Sequence, residues 1–123
     1  MDWVNKHLQI VPINTFIDPI FPVENAIITH AHADHAKPGH NNVLATKHTI
    51  EIMKIRYGEN CANNFQELSF NSPLNVNGVK VTFFPAGHIL GSAQVLLEYR
   101  KDKINFTGDF LSLIHISEPT RHA

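Results

Sequence analysis

The chain has 123 residues, 43% hydrophobic and 17% charged, with a formal net charge of −1. That composition fits a globular protein, excludes a disordered one, and offers no basic stripe of the kind that holds nucleic acid through its surface field. No apolar run approaches the ~20 residues that span a bilayer. No basic-then-apolar leader opens the chain, and the one cysteine, Cys61, excludes an internal disulfide framework and points to a reducing compartment, the cytoplasm.

In chain order, Leu8–Val11 and Thr15–Ile17 read as short strands broken by Pro12 and Asn14. Asp18-Pro19 ends the second, and Pro22 marks another loop. Ala26–Thr29 reads as a buried-type strand feeding the run His30-Ala31-His32-Ala33-Asp34-His35. Ala36-Lys37-Pro38-Gly39 closes that loop, and Val43–Ala45 is the next strand. Thr46 is placed to cap a helix over Lys47–Tyr57, with Gly58 as its stop. Ile50, Met53 and Tyr57 share one stripe of that helix and are expected in the core. Residues 58–64 read as loop, and 65–70 hold a brief strand. Asn77-Gly78 is a two-residue hairpin turn before a strand over Val79–Phe84. Ala93–Tyr99 and Lys103–Thr107 are the last strands, with a turn between them.

The histidine run carries the chemistry. Imidazole nitrogen and carboxylate oxygen are the ligands that borderline cations such as zinc prefer. Residues two apart in an extended stretch share a side, so His30 and His32 can grip one cation. Asp34 and His35 follow the turn and can reach a second. Structural zinc sites usually use thiolates, so an all His/Asp cluster reads as an open, catalytic site. Two later positions extend the pattern: His88 in Pro85-Ala86-Gly87-His88, and Asp109 in Thr107-Gly108-Asp109, each just past a strand. His7, His40 and His48 read as surface histidines. Cys61 has no feature of a nucleophile. Trp3 and the phenylalanines read as packing residues.

The ordered set His30, His32, Asp34, His35, His88, Asp109 resembles the metal-ligand pattern of the metallo-β-lactamase superfamily. The resemblance covers nearly all of residues 3 to 110. The segment Gly87-His88-Ile89-Leu90-Gly91-Ser92-Ala93 resembles the branch of RNA-processing and DNA-repair nucleases. Glyoxalase-type members carry a Thr directly after that histidine. Phe16-Ile17-Asp18-Pro19 and Ile28 to Gly39 look most like the bacterial ligase-associated DNA damage response exonucleases. Those usually carry a Cys-Pro-x-Gly-type turn where this chain has Gln9-Ile10-Val11-Pro12-Ile13-Asn14.

The resemblance implies an α/β fold, a four-layer αββα sandwich of which residues 1–110 are the N-terminal part. It implies two zinc ions, with manganese as the alternative. His30, His32 and His88 would hold the first ion, Asp34 and His35 the second, and Asp109 would bridge them. Asp34 would also be the catalytic residue that orients water or accepts its proton. The implied function is an exonuclease acting on nucleic acid in DNA repair or RNA processing, with a functional association with a DNA ligase or helicase and no membrane partner. The other readings are a small-molecule hydrolase of thioesterase or lactamase type, and a non-catalytic metal-binding domain.

Residues 111–121, LSLIHISEPTR, match codon by codon the translation of a sequencing-library adapter. Residues 111–123 are therefore read as a non-native tail, His115 and His122 are not counted as ligands, and the chain is read as an inactive fragment.

Overall fold

The computed structural model describes residues 3–32, 35–87 and 91–107, together with the backbone of 113–117. Asp34, His88 and Asp109 lie outside the described residues.

Two five-stranded sheets lie against each other, and one helix covers the outer face of the first. The first sheet has the order β1 (Gln9–Ile10), β2 (Thr15–Ile17), β3 (Asn25–Ile27), β4 (His40–Ala45), β5 (Ala62–Glu67). β1 and β2 are antiparallel, and β2 through β5 run parallel. The second sheet is antiparallel throughout: β6 (Leu74–Val76), β7 (Val79–Pro85), β8 (Ala93–Tyr99), β9 (Asp102–Phe106) and β10 (Leu113–Ser117) pair in chain order. The fold is thus mixed α/β, as expected, with three layers among the described residues. No helix among them is long and apolar enough to cross a membrane.

Alternation builds the core between the sheets. Val79, Val81 and Phe83 are fully buried, and Lys80 points to solvent. The register sets Val81 opposite Leu97 and Leu97 opposite Ile104, a stripe that packs on Ile17 and Ile27 of the first sheet.

The helix α1 (Lys47–Tyr57) follows the sequence reading residue for residue. Thr46 Oγ1 accepts the Thr49 N–H, and Gly58 ends the helix at φ +100°. Ile50 and Met53 are buried against Ala26, Val43 and Ala45, with Tyr57 beside them.

Two strands begin earlier than the sequence indicates. β4 starts at His40 and β5 at Ala62, both in asparagine-rich stretches that read as turns. Amide ladders compensate: Asn42 Nδ2 donates to Asn25 Oδ1 and Asn64 Nδ2 to Asn42 Oδ1, each at 2.9 Å. Near the N-terminus, Val11–Ile13 forms a 3₁₀ turn where the strand was expected to continue, because Pro12 has no N–H to give a ladder. Leu113–Ser117, inside the stretch read as non-native, pairs with β9. Its sequence LIHIS alternates, and an open sheet edge accepts such a segment readily.

Candidate metal centre

The parallel strands of the first sheet end at the loop that bears the histidines. This is the end of a parallel sheet where ligands bind. Ile28 N–H makes the last sheet-like bond, to Leu44 O at 3.0 Å. Beyond it the chain turns sharply, because His35 N–H and Ala36 N–H both bond to His32 O at 2.9 and 2.8 Å. That turn folds His35 back onto His30, with ring centroids 4.1 Å apart, while the His32 ring lies 4.7 Å from His30. His30 is buried, His35 half-buried and His32 exposed. The structure therefore brings together three of the histidines that the sequence singles out.

Asp18 organises two of them. It sits just past β2 at φ +48°, and its N–H bonds to Ile27 O at 2.9 Å. Its Oδ1 accepts the Thr29 N–H at 2.8 Å, its Oδ2 accepts the Thr29 hydroxyl at 2.6 Å, and the same Oδ2 is 3.1 Å from His35 Nδ1. A carboxylate only accepts, so His35 Nδ1 carries the proton. Thr29 has one hydroxyl proton and gives it to Asp18. The 2.8 Å contact between Thr29 Oγ1 and His30 Nδ1 must then run from the ring to the hydroxyl, so His30 Nδ1 is protonated too. In the neutral form both rings then present Nε2 as the lone-pair nitrogen, the form that binds a cation.

Asp18, His30 and His35 have ligand-type atoms within 4.8 Å of one another. Asp18 already accepts three hydrogen bonds, which tie it to Thr29 and His35. The sequence reading treats Asp18 as a strand-ending turn residue. The signal was an acid directly after a strand, the same feature that singled out Asp109.

The start of β8 is anchored close by. Ala86 N–H bonds to Ser92 O at 3.0 Å, and Ala93 N–H bonds to Thr29 O at 2.7 Å. Gly91 O accepts from the Thr46 and Thr49 hydroxyls at 2.8 and 3.3 Å. Gly91 has φ +82°, and a Cβ there would stand 2.7 Å from His48 Cβ. Only glycine suits both the backbone and the space. A cleft of about 460 Å³ runs along β3–β5 and faces Leu74, Val76 and Val81 of the second sheet, and none of the three histidines lines it.

His40 departs from its surface expectation. It is buried at the start of β4, its Nδ1 accepts the Val23 N–H at 3.2 Å, and burial lowers its pKa. Cys61 is buried, its Sγ lies 3.8 Å from Met53 O, and burial pushes the thiol's pKa up. That suits a structural thiol, not a nucleophile.

The donor set fits a borderline divalent cation: three neighbouring imidazoles, two of them held in the ligating tautomer. No family profile matches the chain. Individual relatives do. It is 32% identical over 104 residues to a probable DNA ligase of Opitutus terrae, an alignment covering 84% of this chain and 10% of that protein. It is 30% identical over 111 residues to an RNase J-like protein of Methanocaldococcus jannaschii, covering 71% of this chain and 25% of the relative. It is 42% identical over 48 residues to the endoribonuclease YSH1 of Yarrowia lipolytica, covering 39% and 6%. The chain resembles the metallo-β-lactamase superfamily. Its resemblance to the nuclease branch of that superfamily is carried by these relatives. The chain spans a quarter or less of the length of each.

Proposed function

We propose that the protein is a metal-dependent phosphodiesterase acting on nucleic acid, an exonuclease of DNA repair or RNA processing. The observation that carries this reading is the Asp18 carboxylate, which through Thr29 and His35 fixes two histidines in the ligating tautomer. The nuclease names among the relatives support the choice of substrate class. In this reading His30, His32 and His88 would hold one cation, Asp34 and His35 would hold a second, and Asp109 would serve both. Zinc is the first choice and manganese the second. When bound, such a pair supplies a water of lowered pKa and neutralises charge at the phosphate. Asp34 would accept a proton from the attacking water, and Asp18 would keep His30 and His35 aimed. Residues 1–110 form part of an αββα four-layer sandwich, residues 111–123 are a non-native tail, and the protein works in the cytoplasm alongside a DNA ligase.

Two measurements test this. Zinc titration of this chain is expected to show tight binding that His30→Ala abolishes. In a longer homologue, replacing the residue that matches Asp34 by Ala is expected to cut cleavage of labelled DNA or RNA at least about 100-fold, the scale of acid–base contributions. Undiminished cleavage, or turnover of thioesters or lactams with intact nucleic acid, overturns the proposal.

A further inference from the structure

Once the histidine loop leaves the sheet, its main-chain groups need new partners. Thr29 N–H goes to Asp18, Thr29 O receives Ala93 N–H, and His32 O receives the N–H groups of His35 and Ala36. The Ala31 carbonyl differs. Its donor is a charged side chain from another element: Arg56 Nη1, in the last turn of α1, at 2.5 Å. Ala31 is buried, whereas Arg56 is exposed for most of its length. The other basic residue of that turn faces elsewhere, since Lys54 lies 3.7 Å from Glu59 and over the Phe65 ring.

The Ala31 carbonyl belongs to the peptide that joins Ala31 to His32. Rotation of that peptide changes ψ of Ala31 and φ of His32, and so swings the His32 side chain. His30 and His35 are aimed by Asp18 and Thr29. The exposed His32 takes its backbone direction from two sides: Arg56 on the preceding carbonyl, and His35 with Ala36 on its own. A guanidinium suits this work, because its charge is permanent and its planar fork fixes direction.

We propose that Arg56 is a positioning residue of the metal centre, aiming His32 through the Ala31 carbonyl. This rests on His32 being a ligand. The plain alternative is a surface cation that complements the helix C-terminus. The two differ in sign. A cation acting only through its field repels divalent ions, so its removal would tighten metal binding. A positioning residue weakens binding when removed.

The experiment compares wild type, Arg56→Ala, Arg56→Lys and Arg56→Gln in the full chain. Zinc affinity is read by competition with a chromophoric chelator, ligand geometry by the visible bands of the cobalt-loaded protein, and folding by metal-free melts. Arg56→Ala is expected to weaken zinc about 10-fold, at the lower end for an outer-layer partner of a metal ligand. It should also shift the cobalt bands and leave the metal-free melt in place, with Arg56→Lys intermediate. Unchanged or tighter binding with unaltered bands overturns the proposal. Should Arg56→Ala unfold, Arg56→Gln carries the same comparison; if both unfold, Arg56 is a folding residue and the proposal fails. If folded wild type binds no zinc, the metal-centre reading itself has failed, which is distinct from binding that ignores Arg56.

Discussion

Asp18→Asn changes one atom of a hydrogen-bond relay and should reverse it. The amide keeps an acceptor oxygen for the Thr29 N–H, now 2.8 Å from Asp18 Oδ1. Its NH₂ replaces Oδ2, which accepts from the Thr29 hydroxyl at 2.6 Å and faces His35 Nδ1 at 3.1 Å. A donor there forces Thr29 Oγ1 to accept and its proton to turn to His30 Nδ1. His30 then carries its proton on Nε2, and His35 is pushed the same way. To bind a cation through Nε2, each ring must give up one hydrogen bond, at about 0.5–1.5 kcal/mol. Two rings cost about 1–3 kcal/mol, or roughly 5- to 150-fold in affinity at 1.4 kcal/mol per decade. Outer-layer partners of metal-bound histidines span the same range. The fold should suffer less, because the substitution is isosteric and the Thr29 N–H bond survives. The assay is zinc affinity by chelator competition, beside a metal-free urea melt, for wild type, Asp18→Asn and Asp18→Ala. The reasoning is refuted if Asp18→Asn binds zinc within about twofold of wild type, below the range worked from the two hydrogen bonds.

Gly91→Ala should lose about 2–5 kcal/mol of unfolding free energy in urea, summing a left-handed backbone penalty with overpacking against His48. His48→Ala should restore only part, since His48 Cβ is itself the nearest atom at 2.7 Å; a loss below about 0.5 kcal/mol, the scale of a neutral surface change, counts against the contact. His40 supplies a pH dependence. Burial holds its folded pKa below the ordinary 6.5, so the unfolded chain binds the extra proton first. Stability from this group is intact above pH 6.5 and falls as pH drops from there towards the lower folded value, at up to about 1.36 kcal/mol per pH unit. Melts across that window should show the slope in wild type and its loss in His40→Gln; equal slopes in the two proteins remove His40 as the cause.

The extent to which the fold could be read follows from which interactions are local. α1 was legible from end to end because its cap, its buried stripe and its terminal glycine all lie within the helix and its flanks. The hairpin at Asn77-Gly78 was legible for the same reason, its φ values of +45° and +92° being what that dipeptide provides. The starts of β4 and β5 were not legible. His40, Asn41, Asn42, Ala62, Asn63 and Asn64 have poor strand propensity, and it is neighbours 17 to 22 residues away, where Asn side chains bond to one another and Asn41 Nδ2 donates to the Glu24 carboxylate, that support them as strands.

The metal centre divides along the same line. His30, His32 and His35 announce themselves by spacing, because three imidazoles crowd into one short loop. The residues that aim them come from elsewhere: Asp18 from the end of β2, Arg56 from the end of α1. A supporting residue needs only one correctly directed hydrogen bond, and no fixed spacing ties it to the ligands it serves. Support is therefore the part of a metal site that the backbone must reveal. The chemistry of the support differs at its two ends as well. Asp18 works on ring protons, so its replacement by Asn should alter which nitrogen carries the proton. Arg56 works on a peptide plane, so its replacement should alter where a ring points and leave its protonation alone. An Arg56→Ala change that moves ring protons between the imidazole nitrogens as Asp18→Asn does, read from the ring-nitrogen chemical shifts, would contradict that division, because turning a peptide plane moves no ring proton.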